Sequence, residues 1–417
     1  MQKRVVITGM GLVSPIGNDR ETFWQYISKG ISGIKVIDRF KNSDKGYQTH
    51  IGGEIADFTF VPYLEPKVAK RFSRFTQFSL VAAAKAMSDS HLKVTDQNAG
   101  RIGVILGTGI GGLDAVEDQV MRLADHGVSK VNPLAANASV PHAAAAEVSV
   151  YFKLKGMNFT VSTGCSASAN AIGVAMQMIR SGAADVILSG GAETPFTDVI
   201  FATFDASKQL SRKNATPDKA ITPYALGRDG FLLAEGASIL VLEELEHAQK
   251  RGAYIYGEVI GFGSSGDAYD SYKIQPTGQG MAASMELAIR DADITPYEID
   301  YICSHGSGSQ SADLKETNAI KQLFGSRAKA VPVSTIKSVM GMPFGASTGF
   351  QMIASCLMLE QQIIIPTMNI DTPDPECDLD YVPNVARPAQ LNHIIMNSMG
   401  LGGNNASLVV KRYNKQL

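Results

Sequence analysis

The 417-residue sequence predicts an α/β protein made of two similar halves around a buried sheet. Three observations carry this. Short runs rich in Val and Ile (RVVITGMG, RIGVILGTGIGG, DVILSGGAE, SILVLEEL) alternate with segments of helical period, which reads as a largely parallel sheet covered by helices. The chain then starts over in the same order. YIYGEVIGFGSSGD echoes RVVITGMGLVSPIG, DYICSHGSGSQSAD echoes RIGVILGTGIGG, AVPVSTIKS echoes FTVSTGCS, and HIIMNSMGLGGNN echoes DVILSGGAE. With 45% hydrophobic and 19% charged residues, the core is ample for a globular chain of this length. The join lies near Gly252, giving an N-terminal half 1–252 and a C-terminal half 253–417. Such halves place a site at their junction, on loops at the carboxyl ends of strands.

A net charge of −2 argues against nucleic acid or a membrane surface as partner. Cys165, Cys303, Cys356 and Cys377 show no C-x-x-C spacing, so neither zinc nor a disulfide framework is indicated, and a reducing cytoplasm is expected. MQKRVVITGMG enters a strand pattern at once, without the apolar region of a signal peptide, and no apolar run reaches the length of a membrane span. GMGLVSPIG and GTGIGG lack the dinucleotide-binding spacing and no Walker lysine is present, so these glycines read as tight turns at strand ends.

The stretch NFTVSTGCSASANAIGVAMQMIRSG turns from strand to helix at Cys165. Ile172, Ala175, Met176 and Ile179 form the helical stripe, and Ser181-Gly182 ends it. Ser166 and Ser168 fall in the first turn, where small polar groups suit unpaired backbone N–H groups. The helix dipole there favours thiolate over thiol, and Gly164 leaves room for an acyl carbonyl beside the sulfur. A buried structural cysteine is the competing reading. In the second half, His305 follows a strand in SHGSGS, as an acid–base or hydrogen-bonding group. Glu316 lies on the next helix, and Lys337 occupies the pseudo-equivalent of the Cys165 loop. SMGLGGNN supplies backbone donors for an oxyanion hole. Together they form a pattern for acyl transfer through a thioester.

With VSTGCSAS, SHGSGS, GRDGFLLAEGASILVLEEL, STIKS and NSMGLGGNNASLVV in this order, the chain resembles the β-ketoacyl-acyl-carrier-protein synthases of the thiolase superfamily. It is most similar to the long-chain elongating synthases and the ketosynthases of type II polyketide systems. The resemblance implies a thiolase-like αβαβα fold, usually dimeric, and no bound cofactor or metal, because substrates ride on the phosphopantetheine of an acyl carrier protein. It implies that Cys165 carries the acyl chain and that the N–H groups of Cys165 and Leu401 bind the oxyanion. His305 polarises the malonyl thioester, and Lys337 and Glu316 form a supporting charge pair. The activity implied is condensation of that acyl chain with malonyl-carrier protein in fatty-acid or polyketide synthesis.

Three positions depart from the family pattern. The lysine loop, usually K-S-x-x-G-H, reads KSVMGM, so Met342 stands where a second histidine is expected, and a thioether has no proton to donate. In the glycine loop, usually G-F-G-G-T-N, Leu401 and Asn404 replace phenylalanine and threonine. The Asn404 amide is one candidate for the missing donor. Altered or impaired decarboxylation is therefore expected. It leaves two alternatives to a synthase: a chain-length-factor-like partner of a ketosynthase, or an acyltransferase that does not decarboxylate. The alanine-rich NPLAANASVPHAAAAEVS matches a region at the relatives' dimer interface, where small side chains admit a long chain or simply pack closely. Lys67, Lys70, Arg71 and Arg74 resemble a docking patch for acidic acyl carrier protein, within a homodimer or a heterodimer with a paralogous chain.

Overall fold

The computed structural model describes residues 2–414. Five strands of the first half are β1 (Val5–Val13), β2 (Ile102–Gly107), β3 (Asn158–Val161), β4 (Val186–Glu193) and β5 (Gly236–Glu244). Five of the second are β6 (Gly257–Gly266), β7 (Tyr301–Cys303), β8 (Val333–Ser334), β9 (His393–Gly400) and β10 (Asn404–Lys411). They form one ladder in the order β8-β7-β9-β10-β6-β1-β5-β4-β2-β3. Read outward from its centre, each side runs first, fifth, fourth, second, third strand of its half. The four sequence echoes are thus four pairs of equivalent strands. Within this sheet the halves meet where β1 pairs with β6, Val6 with Glu258 and Ile7 with Gly257.

The sheet is mixed, which corrects the expectation of a largely parallel one. Only β4-β2-β3 and β9-β7-β8 are parallel; β1, β5, β6 and β10 pair antiparallel with their neighbours. The strands β1, β4 and β5 are buried at every position. Covering of both faces by helices gives such continuous apolar runs whatever the strand direction.

Six helices supply the layers: α1 (Arg74–Ser90), α2 (Ala143–Phe152), α3 (Ala167–Arg180), α4 (Gln279–Asp291), α5 (Gln310–Phe324) and α6 (Ser347–Gln361). α1 and α2 cover one outer face, α4 and α5 the other, while α3 and α6 lie between the two halves of the sheet and touch strands of both. This is the αβαβα arrangement. In α6 every residue from Ser347 to Leu359 is buried, as a helix covered on all sides requires. The alanines Ala143, Ala144 and Ala145 are buried where α2 packs on α1, so close helix packing accounts for this part of the alanine-rich segment.

The G-x-G of both first strands has one cause. A Cβ at Gly9 or Gly11 would fall 2.4 Å from the Ala86 carbonyl or 2.0 Å from the Ala82 carbonyl of α1. At Gly261 and Gly263 it would fall 2.2 and 2.1 Å from the carbonyls of Ala288 and Ser284 on α4. Each outer helix therefore rests directly on strand backbone. Gly11→Ala must push α1 outward, and overpacking of this kind costs about 1–3 kcal/mol. We expect a lower denaturation midpoint with an unchanged m-value, measured by urea titration; an unshifted midpoint would show that α1 can move freely.

Candidate active site

Cys165 sits in the turn Gly164–Ser166 that joins β3 to α3, with Gly164 at φ 58°. Ser166 does not cap the helix with its side chain; its hydroxyl donates to the Thr163 carbonyl (2.8 Å). Ser168, expected to serve its own helix, serves the neighbouring one. Its hydroxyl accepts the N–H groups of Thr348 (3.0 Å) and Gly349 (3.3 Å) in the first turn of α6. Two N-terminal turns, one from each half, are thereby locked together beside Cys165.

The terminal glycine loop closes on the same point. Ser398 donates to the Cys165 carbonyl (2.8 Å), and a Cβ on Gly400 would lie 3.1 Å from the Cys165 nitrogen. A cavity of about 610 Å³ opens here. Cys165, His305, Met342 and Leu401 all line it, its interior is walled by Ile110, Ile200, Phe204, Phe231 and Phe344, and Tyr269, Tyr272, Lys273 and Lys315 stand along the rest of its wall. Asn404 is not in the wall; its amide donates to the Leu401 carbonyl (3.4 Å), at the start of β10. The expectation that Asn404 replaces a missing donor is corrected accordingly. Leu401 is 46% exposed, a partly open residue where the family pattern has an aromatic ring.

His305 is buried, and its Nδ1 accepts the Met399 N–H (3.3 Å). Burial and the nearby Lys337 push the ring well below the usual histidine range, so it is neutral. With Nδ1 accepting, the ring proton resides on Nε2 as a hydrogen-bond donor. Lys337, also buried, donates from Nζ to the His305 carbonyl (2.5 Å). Burial lowers its pKa, while the Glu316 charge acts in the opposite direction.

No direct Lys337–Glu316 pair forms among the described residues; each supports the His305 loop separately. Glu316 accepts the N–H groups of His305 (2.8 Å) and Gly306 (2.9 Å), the Tyr224 hydroxyl (2.9 Å) and the Asn397 amide (3.3 Å). Asp313 accepts from Ser307 and Gly308, with burial pushing its carboxyl up to about 7. Gln351 of α6 donates to the carbonyls of Cys303, Ser304 and Asn397. Sequence reasoning missed Tyr224, Asn397, Gln351 and, as shown below, Glu193. For Asn397, Gln351 and Glu193 the signal was a polar or acidic residue inside an otherwise apolar strand or helix; Tyr224 lies in a turn.

The thiol also departs from expectation. Burial among Phe344, Met342 and their neighbours pushes Cys165 up to about 12; Lys337 acts to lower it and Glu193 to raise it. Cys165 is half-buried, and this upward push runs against the lowering that the helix terminus suggested in the sequence. Met342 is buried, anchored through its backbone to Leu232 and Ala234, with the Ser347 hydroxyl 3.7 Å from its sulfur. Of the expected docking residues, Lys67, Lys70 and Arg71 are exposed. Arg74 is not available: its guanidinium is paired with Glu235 and donates to the Ile55 carbonyl. Among the described residues no group of three or more His, Cys, Asp or Glu side chains is placed to hold a metal ion, and no helix is long and apolar enough to cross a membrane.

These charges set the expected titration. Lys337→Met removes the cation that favours thiolate, so alkylation of Cys165 by iodoacetamide at pH 8.5 should slow several-fold, and its midpoint should move to higher pH. A faster or unchanged rate would mean that Lys337 does not act on the sulfur.

Comparison with known proteins follows the same lines. The family models described as beta-ketoacyl synthase, N-terminal domain, and beta-ketoacyl synthase, C-terminal domain, match residues 2–248 and 256–371. The chain is 42% identical over 411 residues to the 3-oxoacyl-[acyl-carrier-protein] synthase 2 of Staphylococcus aureus (strain N315), covering 99% of each. It is similar, with TM-score 0.92 and 32% identity over 99% of this chain and 100% of that one, to a chain of AntDE:AntF, a type II PKS acyl-carrier protein in complex with its ketosynthase bound to the hexaketide. The ishigamide ketosynthase/chain length factor matches with the same values.

Proposed function

This chain belongs to the beta-ketoacyl synthase family, and from that premise we propose that it loads an acyl chain on Cys165 and condenses it with a malonyl unit borne by an acyl carrier protein. The supporting observation is the shared cavity: Cys165, the Nε2 face of His305 and the glycine loop meet there, with a mainly apolar interior for the chain.

The chemistry follows from the groups present. The Cys165 sulfur attacks the carrier's thioester carbonyl, and its proton leaves with the carrier thiol. The backbone N–H groups of Cys165 and Leu401 face the oxyanion. In the second half-reaction the malonyl C–C bond breaks, CO₂ departs, and its electron pair passes to an enolate whose oxygen takes a hydrogen bond from His305. The enolate carbon attacks the Cys165 thioester, and the sulfur leaves and recovers a proton. Met342 gives this enolate no second donor, and loss of one such donor typically costs about 10²–10³ in rate. Acyl loading does not use that donor, so the enzyme is a transferase whose decarboxylating step is the slow one.

We read residues 1–252 and 253–417 as the two halves of one catalytic unit. The partner subunit, a second copy or a paralogue, fits the open edge of β3. There Phe159, Tyr151 and Val150 are 38%, 45% and 72% exposed, beside an unpaired strand edge. Lys67, Lys70 and Arg71 remain candidates for carrier-protein contact, the substrate arrives on phosphopantetheine, and the cytoplasm is the place for such chemistry.

Intact-mass measurement after incubation with acyl- and malonyl-carrier protein tests the reading. The acyl adduct should appear on Cys165, disappear in Cys165→Ala, and be followed by slow extension. An adduct never extended would point to plain acyl transfer, and no adduct to a partner role. Met342→His should raise malonyl decarboxylation at least tenfold, whereas Asn404→Ala should leave it within about twofold of wild type. A Met342→His enzyme no faster than wild type would show that the lost donor is not limiting.

A further inference from the structure

Glu193 ends β4 inside the protein, fully buried, a few residues from the cavity in space but in no contact the reaction above requires. Both of its oxygens accept two hydrogen bonds. Oε1 takes the Thr108 hydroxyl (3.0 Å) and the Ile110 N–H (3.0 Å); Oε2 takes the N–H groups of Gly109 (2.6 Å) and Gly345 (2.9 Å). Three backbone N–H groups and a hydroxyl converge on the two oxygens and favour the carboxylate against the upward push of burial.

The donors come from both halves. Thr108, Gly109 and Ile110 follow β2 in the first, and Gly109 and Ile110 line the cavity. Gly345 belongs to the turn Met342-Pro343-Phe344-Gly345 of the second, in which Phe344 is held at φ 29°, a conformation unfavourable for a side chain of that size. The same turn presents Met342 and Phe344 to the cavity. A Cβ on Gly109 would lie 3.1 Å from Oε2 and 3.5 Å from the Gly164 Cα, which places the carboxylate next to the nucleophile turn. Among the described residues, the other buried charge acting on Cys165 is Lys337, on the opposite side of the balance. His305 is neutral, and Lys273 and Lys315 line the cavity without that influence.

We propose that Glu193 is a positioning residue for this site, a buried anion that ties the Gly109–Ile110 loop of one half to the Phe344–Gly345 turn of the other and opposes Lys337 at the Cys165 sulfur. The GTGIGG glycine loop, read in sequence as a tight turn at a strand end, holds a carboxylate of its own chain. The loop and turn that wall the acyl cavity are fixed through one anion, and the thiol stays protonated until substrate arrives. This rests on Cys165 as the acyl-bearing nucleophile.

The test compares wild type, Glu193→Gln and Glu193→Asp by the pH dependence of Cys165 alkylation with iodoacetamide, which needs no carrier protein, and by acyl loading from acyl-carrier protein. Glu193→Gln removes the charge, so the alkylation midpoint should fall by about one pH unit. Loading should also drop at least tenfold, as the loop and the turn lose their common acceptor. A merely structural role would slow loading and leave the midpoint in place, and that result overturns the proposal. Should Glu193→Gln fail to fold, Glu193→Asp keeps the charge but cannot reach all four donors. It should hold the midpoint and slow loading at least tenfold, and unchanged loading would overturn the positioning role. If the wild type itself fails to load while the alkylation shift persists, the functional reading falls and the electrostatic role of Glu193 stands.

Discussion

The structure depends on closing two helix N-termini against each other in the absence of water. α3 and α6 run through the middle of the molecule, and each begins in a turn that faces the cavity. The first-turn N–H groups of a helix have no partner within it, and leaving them unsatisfied in a dry interior costs about 1–3 kcal/mol each. Solvent cannot reach the start of α6, so the donors of Thr348 and Gly349 are met by Ser168 of α3. The arrangement requires the two halves to be in register to within a hydrogen bond. That register brings Cys165 of one half to His305 and Lys337 of the other. β1 and β6 pair at two positions in the sheet, and the interlock of the central helices adds to that junction in joining the halves.

A second constraint follows. The backbone around the cavity is bent into loops whose N–H groups point inward, and buried carboxyl groups gather them. Glu193 takes three N–H groups and a hydroxyl. Glu316 takes the two N–H groups that hold His305 and Gly306, and Asp313 takes those of Ser307 and Gly308. Each carboxylate is desolvated, and its hydrogen bonds offset that cost, so their number and geometry are tightly specified. The site is rigid for this reason. A loop cannot shift without leaving an acid short of donors in a low-dielectric interior.

Much of this was legible in the sequence. The repeated order of strands, the strand–turn–helix at Cys165 and the grouping of His305, Lys337 and Leu401 at one site all follow from periodicity and motif order, because local pattern determines which residues end up at strand ends. Pairing partners were not legible. Nothing in the period of SASANAIGVAMQMIR says that Ser168 would cap another helix, and a buried run such as VILSGGAE reads the same in a parallel or an antiparallel neighbourhood. The ionised thiol was inferred from the helix terminus alone. The omitted quantity was desolvation, which depends on Phe344, a residue nearly 180 positions away in the chain. Asn404 was near the site in sequence but outside it in space, because the strand begins there and turns its amide back to Leu401.

The Met342 position is where these constraints meet. Its backbone is fixed by Leu232 and Ala234, its turn is held by the Gly345 bond to Glu193, and its side chain joins an apolar cluster with Phe231 and Phe344. A polar ring there would need a partner on each nitrogen, while a thioether needs none and fills irregular space well. The frame that would position a second donor is therefore intact, with an apolar group mounted in it. In the proposed reaction, a frame kept while its donor is absent would place the burden of stabilising the enolate on His305 alone. Its orientation then matters more than in a site with two donors. The care with which Lys337, Glu316, Tyr224 and Met399 fix that single imidazole follows as the physical consequence.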